Sequence, residues 1–272
     1  MTSQLDHREY LLFHLAPQSS ALISDSPAPR RAVVFVHGFG GDPCTTWGDF
    51  PLLIKTNESW RTTDVFFYGY AHASRASSID NNSHDFLKFL KQIYPVCPLK
   101  DDRVGERIRN YEELVLVGHS EGAVVIREAM ILELERNSLA VTPIAKARVS
   151  LFAPAVFGSS IVSWMGAFAT LGFFRTLKHF LTALSPAATE MDSRAFTEGL
   201  HRLIMYHAEK TPDATALQAH ILFGRDEQIV VRMWLPIDCY HDPEPNKDHF
   251  SVCKPDFRYT RPIAFVDGDC PV

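Results

Sequence analysis

The 272-residue chain has no apolar run at its start that could serve as a secretory signal, because Asp6, His7, Arg8 and Glu9 fall where the hydrophobic core of such a segment would have to lie. It has no CxxC pair either. Its five cysteines, Cys44, Cys97, Cys239, Cys253 and Cys270, leave one unpaired in any disulfide scheme. This pattern suits a reducing compartment, and a cytoplasmic setting is the expectation. A basic excess is missing too: 27 Lys and Arg stand against 32 Asp and Glu, a net charge of −5, which supplies no field to gather nucleic acid. Internal repeats and low-complexity tracts are absent, and so are the G-x-x-x-x-G-K-S/T and G-x-G-x-x-G loops that cradle phosphates. One long stretch, 149–174, lacks charge altogether. It opens as a strand and is interrupted by Pro154 and several Gly and Ser, so it is not read as a membrane span.

Against these absences stand continuous apolar runs rich in β-branched and aromatic residues, at 32–36, 64–68, 114–117, 147–152 and 219–223. Runs without polar alternation predict strands buried on both faces of a parallel sheet. Helical patterns lie between them. The segment 83–94 places Phe86, Leu87, Phe89, Leu90 and Ile93 on one face, and 121–136 forms a second helix. Alternating strands and helices predict a doubly wound α/β architecture, a mostly parallel central sheet flanked by helices. The segment 156–216 breaks this alternation, being mostly helical in pattern and too long for a strand connection. It is expected to be a helical lid inserted after the sixth strand, with the core formed by 1–155 and 217–272. Within it Phe173, Phe174, Leu177, Phe180, Leu181 and Leu184 recur at helical spacing, with Arg175, Lys178 and His179 on the other side. Such a stripe suits a cover over an apolar acyl pocket, a peripheral contact with a membrane surface, or ordinary packing on the core.

Three segments carry chemistry. The run at 115–117 leads into Gly118-His119-Ser120-Glu121-Gly122 and then a helix: strand, G-x-S-x-G, helix. That order presents a serine on a sharp turn, with glycines two positions either side that let strand and helix approach. Ser120 is the expected nucleophile. The run at 33–36 leads into His37-Gly38-Phe39-Gly40-Gly41, a turn able to aim a backbone N–H at a developing oxyanion, so the expected donors are Phe39 and Glu121. His37 is expected to bond within its own turn. The last run, 219–223, is followed by Gly224-Arg225-Asp226-Glu227 and later by Asp248-His249. Acid therefore precedes base, with His249 as the general base and His241 as its rival among twelve histidines. Asp226 is the preferred acid and Glu227 the alternative. Asp238, Asp242 and Asp248 are weaker candidates. His119, Trp47, Phe173 and Phe174 are the expected substrate contacts, and 233–240 is a candidate last strand.

The chain resembles α/β-hydrolase lipases and esterases, and within them the branch containing the GPI inositol-deacylase and SERAC-type serine hydrolases. The likeness rests on His37-Gly38-Phe39-Gly40-Gly41, Thr46-Trp47, Gly118-His119-Ser120-Glu121-Gly122 and Asp248-His249-Phe250-Ser251-Val252-Cys253-Lys254-Pro255. It implies the α/β-hydrolase fold and cleavage of a small-molecule or lipid ester through an acyl-enzyme, with no metal or organic cofactor. Thioester cleavage, and a binding role on a hydrolase fold without turnover, remain as alternatives. Glu121 departs from the neutral residue common at its place, the acid loop looks one residue short, and the brief N-terminus predicts first strands that are reduced or missing.

Overall fold

The two most continuous apolar runs lie side by side at the centre of the sheet in the computed structural model, which describes residues 9–12, 19–70, 78–101, 105–158, 194–232 and 234–269. Strand β3 (Arg31–Val36) is flanked by β4 (Thr63–Tyr68) and β7 (Glu113–His119), both parallel to it. Every residue of β4, and all but the first of β3 and β7, is buried. Covered on both faces, these strands have no solvated side to mark with alternating polar residues.

Outside this centre come β1 (Glu9–Leu12) and β2 (Ser20–Ile23) on one flank, and β8 (Arg148–Phe152), β9 (Ala219–Leu222) and β10 (Cys239–Tyr240) on the other. The order is β1-β2-β4-β3-β7-β8-β9-β10; β2 runs antiparallel to both of its neighbours, β1 and β4, and the pairs from β4 to β10 are all parallel. The first two strands are reduced to four residues each but present, so the described sheet has eight strands. The Pro- and Ser-containing 24–31 segment is tied to the sheet at its start. Buried Asp64 accepts from the backbone and side chain of Ser24 at 2.7 and 2.8 Å and from Tyr111 at 2.8 Å.

One expectation needs correcting. The last strand does not run over 233–240. Only Cys239–Tyr240 pairs with β9, because Pro236 has no N–H to offer and Asp238 N turns back to Leu235 O. A two-stranded ribbon, β5 (Val96–Asp101) with β6 (Gly105–Asn110), was not foreseen. Its inward residues, Cys97 and Leu99, alternate with exposed Val96 and Pro98, and a proline inside a strand reads as a break unless the strand is an edge.

Helices α1 (Phe50–Leu53), α2 (Ile79–Ile93), α3 (Glu121–Arg136), α4 (Arg194–Lys210) and α5 (Arg261–Asp267) complete the described elements apart from short 3₁₀ turns. Most of the expected 156–216 lid, with Phe173, Phe174 and the 173–184 stripe, lies outside the described residues, as does Met233. The longest described element of that range, α4, packs against α3. No helix among the described residues is long and apolar enough to cross a membrane. The described cysteines, Cys44, Cys97, Cys239 and Cys253, are free thiols.

The chain runs from β3 to β4 on one side and then crosses to β7 on the other. In an open parallel sheet this change of direction leaves a crevice beyond the carboxyl ends of the strands. The register sets Val36 of β3 opposite Gly118 of β7, so the turns that follow the two strands are neighbours. Gly122 makes the approach possible. A Cβ there would lie 2.1 Å from the Val36 carbonyl oxygen and 2.5 Å from that of His37, and neither backbone atom can swing aside. Gly122→Ala is therefore expected to lower stability by about 3 kcal/mol or more, at the upper end of overpacking costs. Urea denaturation measures this, and an unchanged midpoint would contradict the tight packing of α3 on β3.

Candidate active site

Ser120 stands at the junction of β7 and α3, with φ 54° and ψ −118°. A non-glycine residue at positive φ is strained and persists only where its surroundings hold it. Here its amide donates to Phe152 O at 3.1 Å and its carbonyl accepts from Ala123 and Ala155 at 3.1 and 3.2 Å. The residue is fully buried, and Oγ has no hydrogen-bond partner among the described residues.

The turn after β3 lies against it. A Cβ on Gly38 would be 2.8 Å from Ser120 Cβ and 3.0 Å from the His119 carbonyl, so glycine is what lets the turn approach. His37 bonds within this turn as expected: Nδ1 donates to Gly38 O at 2.9 Å, and the ring stacks on Tyr70 at 4.5 Å. Tyr70 donates to His37 O at 2.7 Å. Burial, and then the Glu121 carboxylate, raise the Tyr70 phenol well above its ordinary pKa and keep it protonated. The Glu121 side chain is itself fully buried, and its backbone opens α3 directly after Ser120, where it offers one candidate N–H. Phe39, buried in the adjacent turn, offers the second candidate N–H.

The segments that follow β9 and β10 meet. Gly224, just after β9, has no room for a side chain: a Cβ there would be 2.2 Å from Lys247 O and 2.9 Å from Asp248 O. The Asp226 amide donates to Lys247 O at 3.0 Å, and its residue is exposed. The carboxylate that turns inward is Glu227. Its Oε2 accepts from His249 Nδ1 at 2.9 Å, and its Oε1 accepts from the amides of Ile229 and Val230 at 2.8 and 3.1 Å. Both side chains of this pair are buried. The structure thus brings Glu227, the alternative acid, against His249 and leaves Asp226, the preferred one, exposed. Burial alone would raise the Glu227 carboxyl, but the bond and charge of His249 and the two amides outweigh it, and the group titrates below its ordinary 4.5.

Because Nδ1 donates to Glu227, Nε2 of a neutral His249 carries the lone pair. A second tether brings this ring to the nucleophile turn: His119 Nε2 donates to the His249 carbonyl at 2.7 Å, and the two rings lie 4.8 Å apart. Burial first, and the neighbouring His249 second, hold His119 well below the ordinary imidazole pKa, so it stays neutral. The structure thus places His119, an expected substrate contact, as an anchor of the His249 backbone, a bond that the sequence does not reveal. Trp47, also expected to touch substrate, is fully buried against Phe35 at 4.8 Å and beneath His119 at 6.5 Å. It forms packing under the site and no exposed wall. The rival base His241 bonds to His220 at 3.1 Å, and Asp238 is held by buried Arg127 and Ala219 N. The arrangement holds a hydroxyl on a strained turn and, tethered to that turn through His119, an imidazole bonded to a buried carboxylate.

No family model matches the chain, and no curated protein matches it. Solved structures do. The peroxisomal alpha-beta-hydrolase Lpx1 from Saccharomyces cerevisiae is similar at TM-score 0.53 and 15% identity, covering 93% of this chain and 83% of that one. A monoacylglycerol lipase from Paleococcus ferrophilus is similar at 0.51 and 12%, covering 92% and 96%. The phospholipase PlaB from Legionella pneumophila, at 0.48 and 18%, covers 71% of this chain, which spans only 37% of that protein's length. At these identities the likeness is one of fold and says nothing of the reaction.

Proposed function

We propose, from the α/β-hydrolase fold that the chain adopts, that it is a serine hydrolase of carboxylic esters working through an acyl-enzyme. The observation that carries this reading is the buried Glu227–His249 pair at 2.9 Å, tethered through His119 to the strained Ser120 turn. In the proposed cycle Ser120 Oγ attacks the ester carbonyl carbon as its proton passes to His249 Nε2, and Glu227 stabilises the imidazolium. The carbonyl oxygen, now negative, accepts from the N–H groups of Phe39 and Glu121. His249 then protonates the departing alcohol as the C–O bond breaks, leaving acyl-Ser120. Water repeats the sequence in reverse, and the carboxylic acid leaves. The aromatic stripe at 173–184 supports an apolar acyl chain as the substrate class, as does the name of the Paleococcus neighbour, a monoacylglycerol lipase. Peripheral contact with a lipid surface through that stripe belongs to the same reading.

The test is a fluorophosphonate probe on wild type and His249→Ala, followed by a chain-length series of p-nitrophenyl esters. Labelling that depends on His249 is the expected result; equal labelling of both proteins would remove the activated serine. Each methylene buried by an acyl pocket contributes about 0.8 kcal/mol. Four more carbons are then expected to raise kcat/KM by on the order of a hundredfold. A preference for acetate would overturn the apolar substrate, and turnover of thioesters alone would move the activity to the thioesterase class.

A further inference from the structure

The last two strands bring together three side chains that the proposed reaction does not use. Cys239 pairs with His220 across β10 and β9, and parallel partners project to the same face of a sheet. Two residues on, His241 N donates to Ile221 O at 3.0 Å, which extends the pairing and returns its side chain to that face. The consequence is a cluster in which one ligand atom from each of His220, Cys239 and His241 lies within 4.8 Å of the others. His220 Nδ1 and His241 Nε2 are 3.1 Å apart. Two imidazole nitrogens bound to one tetrahedral zinc at about 2.05 Å would be separated by roughly 3.3 Å, so these rings already stand near ligand spacing.

We propose that His220, Cys239 and His241 form a binding site for a zinc-class divalent cation, distinct from the Ser120 site. A thiolate with two imidazoles suits zinc, and metals that prefer all-oxygen shells do not fit this donor set. Room for a fourth ligand lies alongside: a cavity of about 360 Å³ is lined by His220 and Cys239 with Gln218 and Thr215, enough for a metal-bound water or a small anionic ligand. Arg148 borders the same cavity. Its guanidinium is engaged by the Val266 carbonyl at 2.5 Å and by Glu113 at 3.3 Å, which limits its repulsion of a cation. Binding would deprotonate Cys239 and release that proton to solvent.

Such a cation would clamp the two-residue β10 to β9. β9 leads into Glu227 and β10 into His249, so the clamp would hold the segments that carry the acid and the base. It would act on stability and positioning, and take no part in the transfer of the acyl group.

The experiment uses the full chain, reduced and stripped with chelator, then reloaded and desalted. Zinc content should reach one equivalent, and the thermal midpoint should rise with zinc concentration. Cobalt loading should produce the near-ultraviolet thiolate-to-metal band that only a cysteine ligand gives. Cys239→Ala should abolish that band and the bound equivalent, and His220→Gln should weaken binding by at least tenfold. Retention of well under half an equivalent would overturn the site, as would cobalt bound without a thiolate band, which would place the metal on other histidines. A wild-type cobalt spectrum without a thiolate band overturns the site even if a variant fails to fold, and Cys239→Ser serves to assign the band where Cys239→Ala does not fold.

Discussion

Ser120→Ala is expected to abolish fluorophosphonate labelling, to lower kcat by about 10⁴–10⁶, and to leave the protein at least as stable as wild type. The loss of rate follows, on the proposed mechanism, from removal of the oxygen that forms the acyl-enzyme. The stability result comes from the packing. Ser120 Oγ is buried with no hydrogen-bond partner among the described residues, and a buried hydroxyl left unsatisfied costs about 1–3 kcal/mol. Alanine keeps the Cβ that the Gly38 turn packs against and accepts the same φ of 54°, so backbone strain is unchanged. A gain of roughly 1 kcal/mol is expected, read as a higher urea midpoint with the same slope. A stability held below its optimum at the reacting group is the pattern of a site that spends stability on function. A destabilised variant would mean that Oγ makes a bond in solution, and the nucleophile would then have to be argued from a different resting geometry.

The sheet centre was legible because β3 and β7 are buried on both faces, and a strand so placed must be apolar throughout. The nucleophile turn was legible for a related reason: Gly118 and Gly122 answer to backbone approaches that any side chain would block, at 2.9 Å from Ala123 Cα and 2.1 Å from Val36 O. The acid was not legible. Asp226 and Glu227 are adjacent carboxylates on one loop, and which faces inward depends on a bond formed elsewhere, Asp226 N to Lys247 O, between segments 21 residues apart. The anchoring of His249 by His119, and the meeting of His220 with Cys239 and His241, depend in the same way on strand register and on backbone carbonyls. A motif search sees side-chain identity and spacing along the chain, and these contacts are made across it. Pro98 and Pro236 hid the ribbon and shortened the last strand, because a proline's missing donor matters only once the pairing partner is known.

Glu227→Gln is expected to lower kcat by about 10⁴, whereas Asp226→Asn should stay within about twofold, as befits an exposed side chain with no buried partner. The difference lies in how many acceptors the site needs. Glu227 accepts two backbone amides at Oε1 and the His249 Nδ1–H at Oε2. Glutamine has a single oxygen. If that oxygen stays with Ile229 and Val230, its NH₂ faces His249 Nδ1 and stabilises the tautomer whose lone pair is on Nδ1. Nε2 then carries the hydrogen and cannot take the serine proton. If the oxygen turns to His249, two buried amides face an NH₂ and the loop pays about 1–3 kcal/mol for each. The pH dependence separates this from a general loss of folding. The Glu227 carboxyl is held below its ordinary 4.5 in the folded chain. Its contribution to stability is therefore complete above about pH 4.5 and is lost as pH falls through the lowered folded value. Glu227→Gln has no such group to protonate, so its unfolding midpoint should fall less than that of wild type between pH 7 and pH 3, while Asp226→Asn should follow wild type. Parallel acid curves for wild type and Glu227→Gln would mean that Glu227 is not charged against His249, and equal kcat losses in the two variants would return the choice of acid to where the sequence leaves it.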